Sequence, residues 1–413
     1  MIATSIVVLL FVLLAFGLPI GFSLSIAGAA GLWWVGGWAA LSGTLASMPR
    51  EASAVFEFIT IPMFLLMAEF VLRSGIADDL FIAAAAWCGR IPGGLGMATA
   101  LAGAGFGAIC GSSTASAATL SSTTLPAMLK HGYEPRMAAG VVAISGTLAM
   151  LIPPSIAMVL FGLLSGSSIA KLLVAGIVPG IVVTITIMAT TYFLAKQDPA
   201  RAPLSEAVPW QQRFALLRKV GPMLVLIMSV TGVIYTGVAT PTEASAVGAA
   251  CAAVLYFLRG RRTFAEVSAI VARATRTSCM LAFILFSAHL FSTFFTLTQT
   301  TQSIIGCLVL FYLVLGCFLD QTAILVLTTP IVAPLVASLG YSVIWFGVIK
   351  IVTAELGLVT PPLGLNSFVV AKYSKTPAGD VFMGVLPHVV THLIAITILV
   401  LFPVLSLWLP NRM

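Results

Sequence analysis

Charge is the scarcest property of this chain. Only 8% of its 413 residues are Asp, Glu, Lys or Arg, where a soluble domain carries about 25%, so a water-facing globular fold is excluded. No polar stretch between the apolar ones is long enough to form a soluble domain. The six cysteines, Cys88, Cys110, Cys251, Cys279, Cys307 and Cys317, contain no CxxC pair, and five lie in apolar stretches. They read as small buried hydrophobes, not as a disulfide framework or zinc site. No Walker A pattern occurs, which excludes ATP hydrolysis by that route. Gly93, Gly94 and Gly96 form no phosphate loop and suit close helix packing instead. The first basic residue is Arg50, so the apolar run from Ile6 to Ile20 lacks the positive start of a cleavable signal peptide and is expected to be a retained helix.

What is abundant is apolar surface. Hydrophobic residues make up 60% of the chain, and the mean hydropathy is +1.12. A bilayer-spanning helix needs roughly 20 such residues, and the chain holds about ten stretches of that kind plus extra apolar hairpins. The expected surroundings are membrane lipid. The net charge of +7 sits in short loops between apolar segments, which is a topology signal and not a nucleic-acid surface.

The pattern predicts helices over 2–20 and 21–40, a polar patch with Arg50, Glu51 and Glu57, and a helix over 59–73 carrying Glu69. Residues 74–92 read as an amphipathic connector on the membrane surface. A small-residue-rich hairpin over 93–129 follows, interrupted by GSSTAS at 111–116, then a broken helix over 137–165 and a helix over 168–195. After the polar segment 196–219 come helices over 220–238 and 242–258 and a second basic loop, 259–276, with Arg259, Arg261, Arg262, Arg273 and Arg276. A helix over 277–298, an apolar stretch over 303–338 interrupted at Asp320, a broken helix over 343–371 and a last helix over 383–409 complete the chain. Placing the basic loops inside makes 93–129 a re-entrant hairpin that enters and leaves on the inner face. Its partner, 303–338, then enters from outside, the two halves are oppositely oriented, and both termini fall on the external face.

The halves echo each other at an offset of 208 residues: Pro126 with Pro334, Gly132–Tyr133 with Gly340–Tyr341, and Pro153–Pro154 with Pro361–Pro362. Paired, broken apolar segments point to a midplane binding site and alternating access. The offset maps Ser112, Ser113 and Thr114 onto Asp320, Gln321 and Thr322. Hairpin tips at membrane depth survive where protein or a water-filled cavity shelters them, and they offer hydroxyls, carbonyls and helix ends suited to Na+ and carboxylates. Ser and Thr there can instead satisfy neighbouring carbonyls. Each Pro-Pro pair removes amide donors and splits its helix. Carbonyls of 148–152 and 356–360 are expected to lose partners and to attract a cation, while the following half-helix N-terminus favours an anion. Thr147, Ser155, Thr360 and Asn366 flank the breaks as candidate side-chain ligands.

Asp320, Glu355, Glu243 and Glu69 are acids inside apolar segments and so functional candidates. Glu69 and Glu243 can equally pair or cap structurally. Lys350 and Lys171 can pair acids or snorkel. His388 and His392 share a helix face, but HVVTH lacks the Glu of a zincin motif, which leaves core histidines as the plain reading.

The motifs CGSSTASAATL at 110–120, LPAMLKHGYEPRMAAGVVAISGTLAMLIPPSIAMVLFG at 125–162, ATPTEASAV at 239–247, FLDQTAILVLTTPI at 318–331 and ELGLVTPPLGLNSFVVA at 355–371 resemble the large membrane subunit of tripartite ATP-independent periplasmic (TRAP) transporters, as does the closing LFPVLSLWLP. The resemblance runs nearly the full length. It implies an all-α polytopic protein of the bacterial inner membrane, in the ion transporter superfamily, with inverted repeats, each carrying a re-entrant hairpin and a Pro-Pro-broken helix. It also implies scaffold helices (1–92 and 196–298) and an elevator-type transport domain (93–195 and 299–413). The implied activity is no enzyme's: Na+-coupled uptake of a small organic acid, a C4-dicarboxylate, sugar acid or sialic-acid-like molecule, with no other cofactor. The implied partners are a small four-helix membrane subunit and a periplasmic substrate-binding protein. No small-subunit sequence lies in the chain, so that subunit is expected to be separate. Carried over by motif, Ser112, Ser113, Thr114, Ser155, Thr360 and Asn366 would meet substrate, and Ser112, Gly146, Thr147, Asp320, Thr322, Gly357 and Thr360 would meet Na+, with Pro153, Pro154, Pro361 and Pro362 as the helix breaks. Ala149 departs from the glycine frequent in the family, and 303–317 lacks its polar landmarks. A stand-alone Na+/carboxylate symporter of the same superfamily is the alternative.

Overall fold

The computed structural model describes residues 2–205, 208–260, 263–298, 319–362 and 364–413, and among them every regular element is helical. The helices are α1 (Ile2–Ala15), α2 (Ile20–Ser53), α3 (Thr60–Leu72), α4 (Ile76–Cys88), α5 (Gly94–Cys110), α6 (Ser113–Lys130), α7 (Pro135–Gly146), α8 (Ile156–Ser165), α9 (Ile169–Ala175), α10 (Ile177–Gln197), α11 (Trp210–Ile227), α12 (Val233–Tyr235), α13 (Pro241–Leu258), α14 (Phe264–Thr298), α15 (Gln321–Ser338), α16 (Val343–Gly357), α17 (Leu365–Ser374), α18 (Ala378–Leu401) and α19 (Val404–Leu407). Among the described residues seven helices are long and apolar enough to cross a membrane, and an eighth span forms if α3 and α4, bent by 65°, count as one. The sequence had promised about ten. That number left the hairpins aside; α1 and the two halves of the first broken helix are apolar but individually shorter.

Local chemistry sets the helix ends. Thr240 and Glu243 form a reciprocal capping box, and Pro241 sits at the first position of α13, where its missing N–H costs nothing. Ser168 and Ser342 cap α9 and α16 by accepting the amides of Lys171 and Trp345. Gly132 and Gly340, with φ of +81° and +80°, close the turns after α6 and α15. In the first of these turns the buried Tyr133 phenol oxygen accepts the Leu95 amide at 3.1 Å and so ties the turn to the start of α5. Burial pushes that phenol above its ordinary pKa.

Several boundaries depart from the sequence reading. The second helix runs on to Ser53 and takes in the polar patch up to Arg50; its interruption is Gly37, at φ +66°. The connector 74–92 contains α4, whose Leu80 and Phe81 face is buried. The polar segment after 196 is helical again from Trp210. Helix α14 starts at Phe264, inside the expected second basic loop, because 264–276 contain helix formers and no Gly or Pro, and charge does not break a helix. Arg273 and Arg276 therefore sit on α14. The last long helix spans Ala378–Leu401 and stops before Pro403. The limb 303–318, with Cys307 and Cys317, and the pair Arg261 and Arg262 lie outside the described residues.

Two packing groups result. In one, α14 lies along α2 and α3, and α3 along α13. Ser25 and Ser287 hydroxyls meet at 2.8 Å, and Thr60 and Thr242 at 2.9 Å. In the other, α5, α6 and α7 pack together, α17 covers α6 and α7, α15 lies on α8, and α18 crosses α7. That crossing is backbone on backbone: a Cβ at Gly140 would stand 2.3 Å from the Gly384 carbonyl. Small residues allow such contacts between apolar helices. The groups meet where α3 touches α5 and α14 touches α15.

Candidate functional site

At that meeting place lies the first tip. Helix α5 ends at Cys110, Gly111 turns the chain at φ +61°, and Ser112 is extended at the head of α6. Its hydroxyl oxygen accepts the Ala115 amide at 3.4 Å and lies 3.3 Å from the Thr114 hydroxyl. The second tip repeats the arrangement with a carboxylate: Asp320 Oδ1 accepts the Ala323 amide at 3.1 Å at the head of α15. Residues 112–114 and 320–322 line one cavity of about 200 Å³. Met150 and Ile156 bring the first break to its wall, and Leu358 brings the second. Leu65 on α3 and Thr277, Met280 and Leu281 on α14 close the opposite side. Asp320 is its one charged lining residue among those described.

Both breaks contain a cis Pro-Pro bond. After α7, residues Thr147–Met150 tighten into a 3-10 turn, and α8 restarts behind Ser155. After α16, the chain passes Thr360 and restarts at α17 behind Gly364, at φ +38°. The expectation of orphaned carbonyls needs correcting, because neighbouring groups take most of them up. The Leu148 carbonyl accepts the Leu151 and Ile152 amides, and the Met150 carbonyl accepts the Ser155 hydroxyl. Leu356 accepts the Thr360 hydroxyl at 2.7 Å, Gly357 the Thr360 amide, Leu358 the Asn366 amide at 3.0 Å and Val359 the Ser367 hydroxyl at 3.1 Å. Each such carbonyl keeps a second lone pair.

The residues anticipated from sequence thus divide. Ser112, Ser113, Thr114, Asp320 and Thr322 come together at the cavity. Gly146, Thr147, Ser155, Gly357, Thr360 and Asn366 stand outside its lining. Ser155 is spent on Met150 and on the Met158 amide, and Thr147 on the Ile144 carbonyl. A Cβ at Gly146 would meet Ala117 Cβ at 2.8 Å, so close contact between α6 and α7 explains the glycine. Asn366 is fully buried, yet neither of its side-chain amide atoms has a hydrogen-bond partner. The same holds for the Ser113 hydroxyl, both Gln321 amide atoms and both Glu355 carboxylate oxygens. Glu355 lies close beside Ser113, short of a formed hydrogen bond. Buried polar atoms without partners are rare in proteins and point to a ligand, ion or water.

The other candidates are engaged in contacts of their own. Glu243 caps α13, its carboxylate accepting the Thr240 amide and hydroxyl at 2.8 Å. Glu69 accepts Arg273 at 3.1 Å and faces Arg73 at 3.9 Å. Lys350 is buried, donates to the Thr329 hydroxyl at 2.6 Å and lies over the Phe161 ring, so it does not snorkel. His388 and His392 are buried on α18, and no group of three metal-ligating side chains exists among the described residues. A larger cavity of about 390 Å³ opens between Glu57, Ser167 and Thr242 and contains none of the anticipated residues. Sequence reasoning missed Thr277 and its neighbours on α14. Gln321 was within reach, since the offset pairs it with Ser113.

The model of the tripartite ATP-independent periplasmic transporter DctM component matches residues 7–405. The chain belongs to this family. The permease is 34% identical over 376 residues to the C4-dicarboxylate TRAP transporter large permease of Pseudomonas aeruginosa, covering 87% of this chain and 88% of that one. It is 30% identical to the ectoine TRAP large permease of Halomonas elongata, with 96% of each chain covered. It is also 30% identical to the 2,3-diketo-L-gulonate large permease of Escherichia coli, with 94% of each covered. Among solved structures, the Alcanivorax borkumensis YdaH transporter superposes with a TM-score of 0.64 at 16% identity, over 91% of this chain and 89% of that one, a likeness of fold alone. The permease is accordingly a multi-pass protein of the inner membrane and a transport component, not an enzyme.

Proposed function

We propose that the permease is the large transmembrane subunit of a Na+-coupled importer for a small organic acid, working with a small membrane subunit and a periplasmic binding protein that delivers the substrate. The observation that carries this reading is that the two tips, headed by Ser112 and Asp320, line one cavity together with both helix breaks. Buried oxygens without partners line it at Ser113 and Gln321 and recur at Glu355 beside Ser113 and at Asn366, and hard cations such as Na+ take oxygen ligands. Ser112, Thr322 and the carbonyls of Gly146, Gly357 and Thr360 complete the ligand set in this reading. Na+ fixes the tips, and the ordered tips with the half-helix heads at Ser155 and Asn366 then hold the carboxylate. Dicarboxylates, ectoine and 2,3-diketo-L-gulonate name the relatives, so an organic acid of that size is the cargo.

The matching element starts support an inverted repeat. Helix α6 begins at Ser113 and α15 at Gln321; α7 begins at Pro135 and α16 at Val343, both pairs 208 residues apart. In this reading 93–195 and 299–413 move as one elevator against a scaffold of 1–92 and 196–298.

The test compares melting temperature in NaCl and in equimolar KCl, with the small subunit co-expressed, followed by uptake of organic acids into proteoliposomes. A ligand at 100 times its dissociation constant stabilises by about 2.7 kcal/mol. A Na+-specific rise and Na+-dependent uptake are expected. Equal melting and equal uptake in both salts would overturn Na+ coupling. Full uptake without the binding protein would turn the reading toward a stand-alone symporter.

A further inference from the structure

The cavity's charge is wrong for its cargo. Among the described residues its one charged lining residue is Asp320, an acid, and an organic anion held there needs positive charge close by. A surplus of it lies one helical turn away on α3 and α14, which close the side opposite the tips. Thr277 lines the cavity from α14, and Arg273 stands four residues earlier on the same face; Leu65 lines it from α3, and Glu69 stands four residues later. These two positions meet: Arg273 Nε donates to Glu69 Oε2 at 3.1 Å. Arg73 faces the same oxygen at 3.9 Å, so two guanidiniums share one carboxylate. Arg273 Nη2 is buried and has no hydrogen-bond partner. Helix α3, which carries Glu69, also packs on α5, whose end leads into the first tip. The buried Nη2 and the second guanidinium leave donors and positive charge that Glu69 alone does not use.

We infer that Arg273 receives the substrate's carboxylate on the scaffold wall of the cavity, with Glu69 as the internal carboxylate that holds the guanidinium until the substrate displaces it. The inference rests on the organic-anion reading above and adds to it a specificity residue contributed by α14. Arg273 is half-exposed in the pair, so the side chain has room to exchange one carboxylate for another. The guanidinium's paired donors suit a carboxylate in a way that a lysine's point charge does not.

Two substitutions separate this exchange from a merely structural bridge. If Arg273 binds substrate and Glu69 competes for it, Glu69→Gln frees the receptor and tightens binding, whereas Arg273→Gln removes it and weakens binding. If the pair is only a brace, both changes act in the same direction. The measurement is the dissociation constant of the purified full-length permease in NaCl, for succinate and for ectoine, followed by tryptophan fluorescence. Arg273→Gln should weaken binding roughly tenfold, and Glu69→Gln should strengthen it several-fold. The double variant should behave like Arg273→Gln, and Arg273→Lys, which keeps the charge and the packing, should fall between. Shifts of the same sign in the two single variants, or no shift in Arg273→Lys and Arg273→Gln, overturn the inference while leaving the transport reading intact. Wild-type protein that binds neither compound overturns both together.

Discussion

Ser112 and Asp320 occupy the same station in two different helices: each is the extended residue before the first turn, each accepts the amide three residues on, and both line one cavity. They stand 208 positions apart in the chain. An N-cap is a local device, since any of several short polar side chains can satisfy the orphan amides of a helix start. A capping role therefore explains a hydroxyl or a carboxylate at these positions, but not why two caps should line one cavity at the junction of the two packing groups.

Capping and ion binding by Asp320 are separable. Asn caps as well as Asp, so Asp320→Asn should fold with nearly unchanged stability in KCl, whereas Asp320→Ala should lose about 1 kcal/mol. Both should abolish the additional stabilisation by Na+. Melting temperatures of the three proteins in NaCl and KCl check this, and an undiminished Na+ response in Asp320→Asn would remove the carboxylate from the ion site.

Pro153 interrupts α7–α8 by withholding an amide and crowding the preceding turn. Pro153→Ala relaxes both constraints and lets the 3-10 turn at Thr147–Met150 compete for α-helical bonding. Met150 and Ile156, which line the cavity from either side of the break, would then shift. Uptake should fall at least tenfold without loss of folded protein; full activity in proteoliposomes would free the break from the transport cycle.

The parts of the site legible in the sequence were those written by local chemistry. A Pro-Pro pair, a Gly-Tyr turn and a short polar residue before an apolar run each act within about one helical turn, so their meaning survives without a fold. The opposite wall was not legible. Arg273 and Glu69 are 204 residues apart and meet only because α14 packs against α3. The same arginine misled in another way, since a cluster of basic residues suggested a loop at 259–276, where helix propensity carried α14 back to Phe264. The Pro-Pro breaks suggested bare carbonyls, but Ser155, Thr360 and Ser367 stand close enough in sequence to bond them.

Glu243 tests the opposite case, an acid in an apolar helix whose work is capping. Its oxygen accepts from the Thr240 amide and hydroxyl at the exposed head of α13, and backbone and hydroxyl donors of this kind serve Gln as well as Glu. Glu243→Gln should leave stability and uptake close to wild type. Glu243→Ala should lower the melting temperature with unchanged substrate affinity. Loss of uptake in Glu243→Gln at wild-type melting temperature would return this residue to the functional group.

The crossing of α7 and α18 yields a paired prediction within one helix. At Gly384 an added Cβ would lie 1.9 Å from the Arg136 carbonyl oxygen and 3.3 Å from Gly140 Cα, all backbone atoms that no rotamer change can move. The helices would have to part, and with them the Arg136–Asp380 bridge at 2.8 Å and the buried faces on either side of it. Gly384→Ala should therefore destabilise by about 3 kcal/mol or more. Five residues earlier on α18, a Cβ at Gly379 meets nothing within 4 Å. There Ala removes the backbone-entropy penalty of glycine, and Gly379→Ala should stabilise by about 0.5–1 kcal/mol. Thermal unfolding of the two variants in the same detergent decides the matter: opposite shifts are expected, and a tolerated Gly384→Ala would mean that the two backbones do not touch in the membrane.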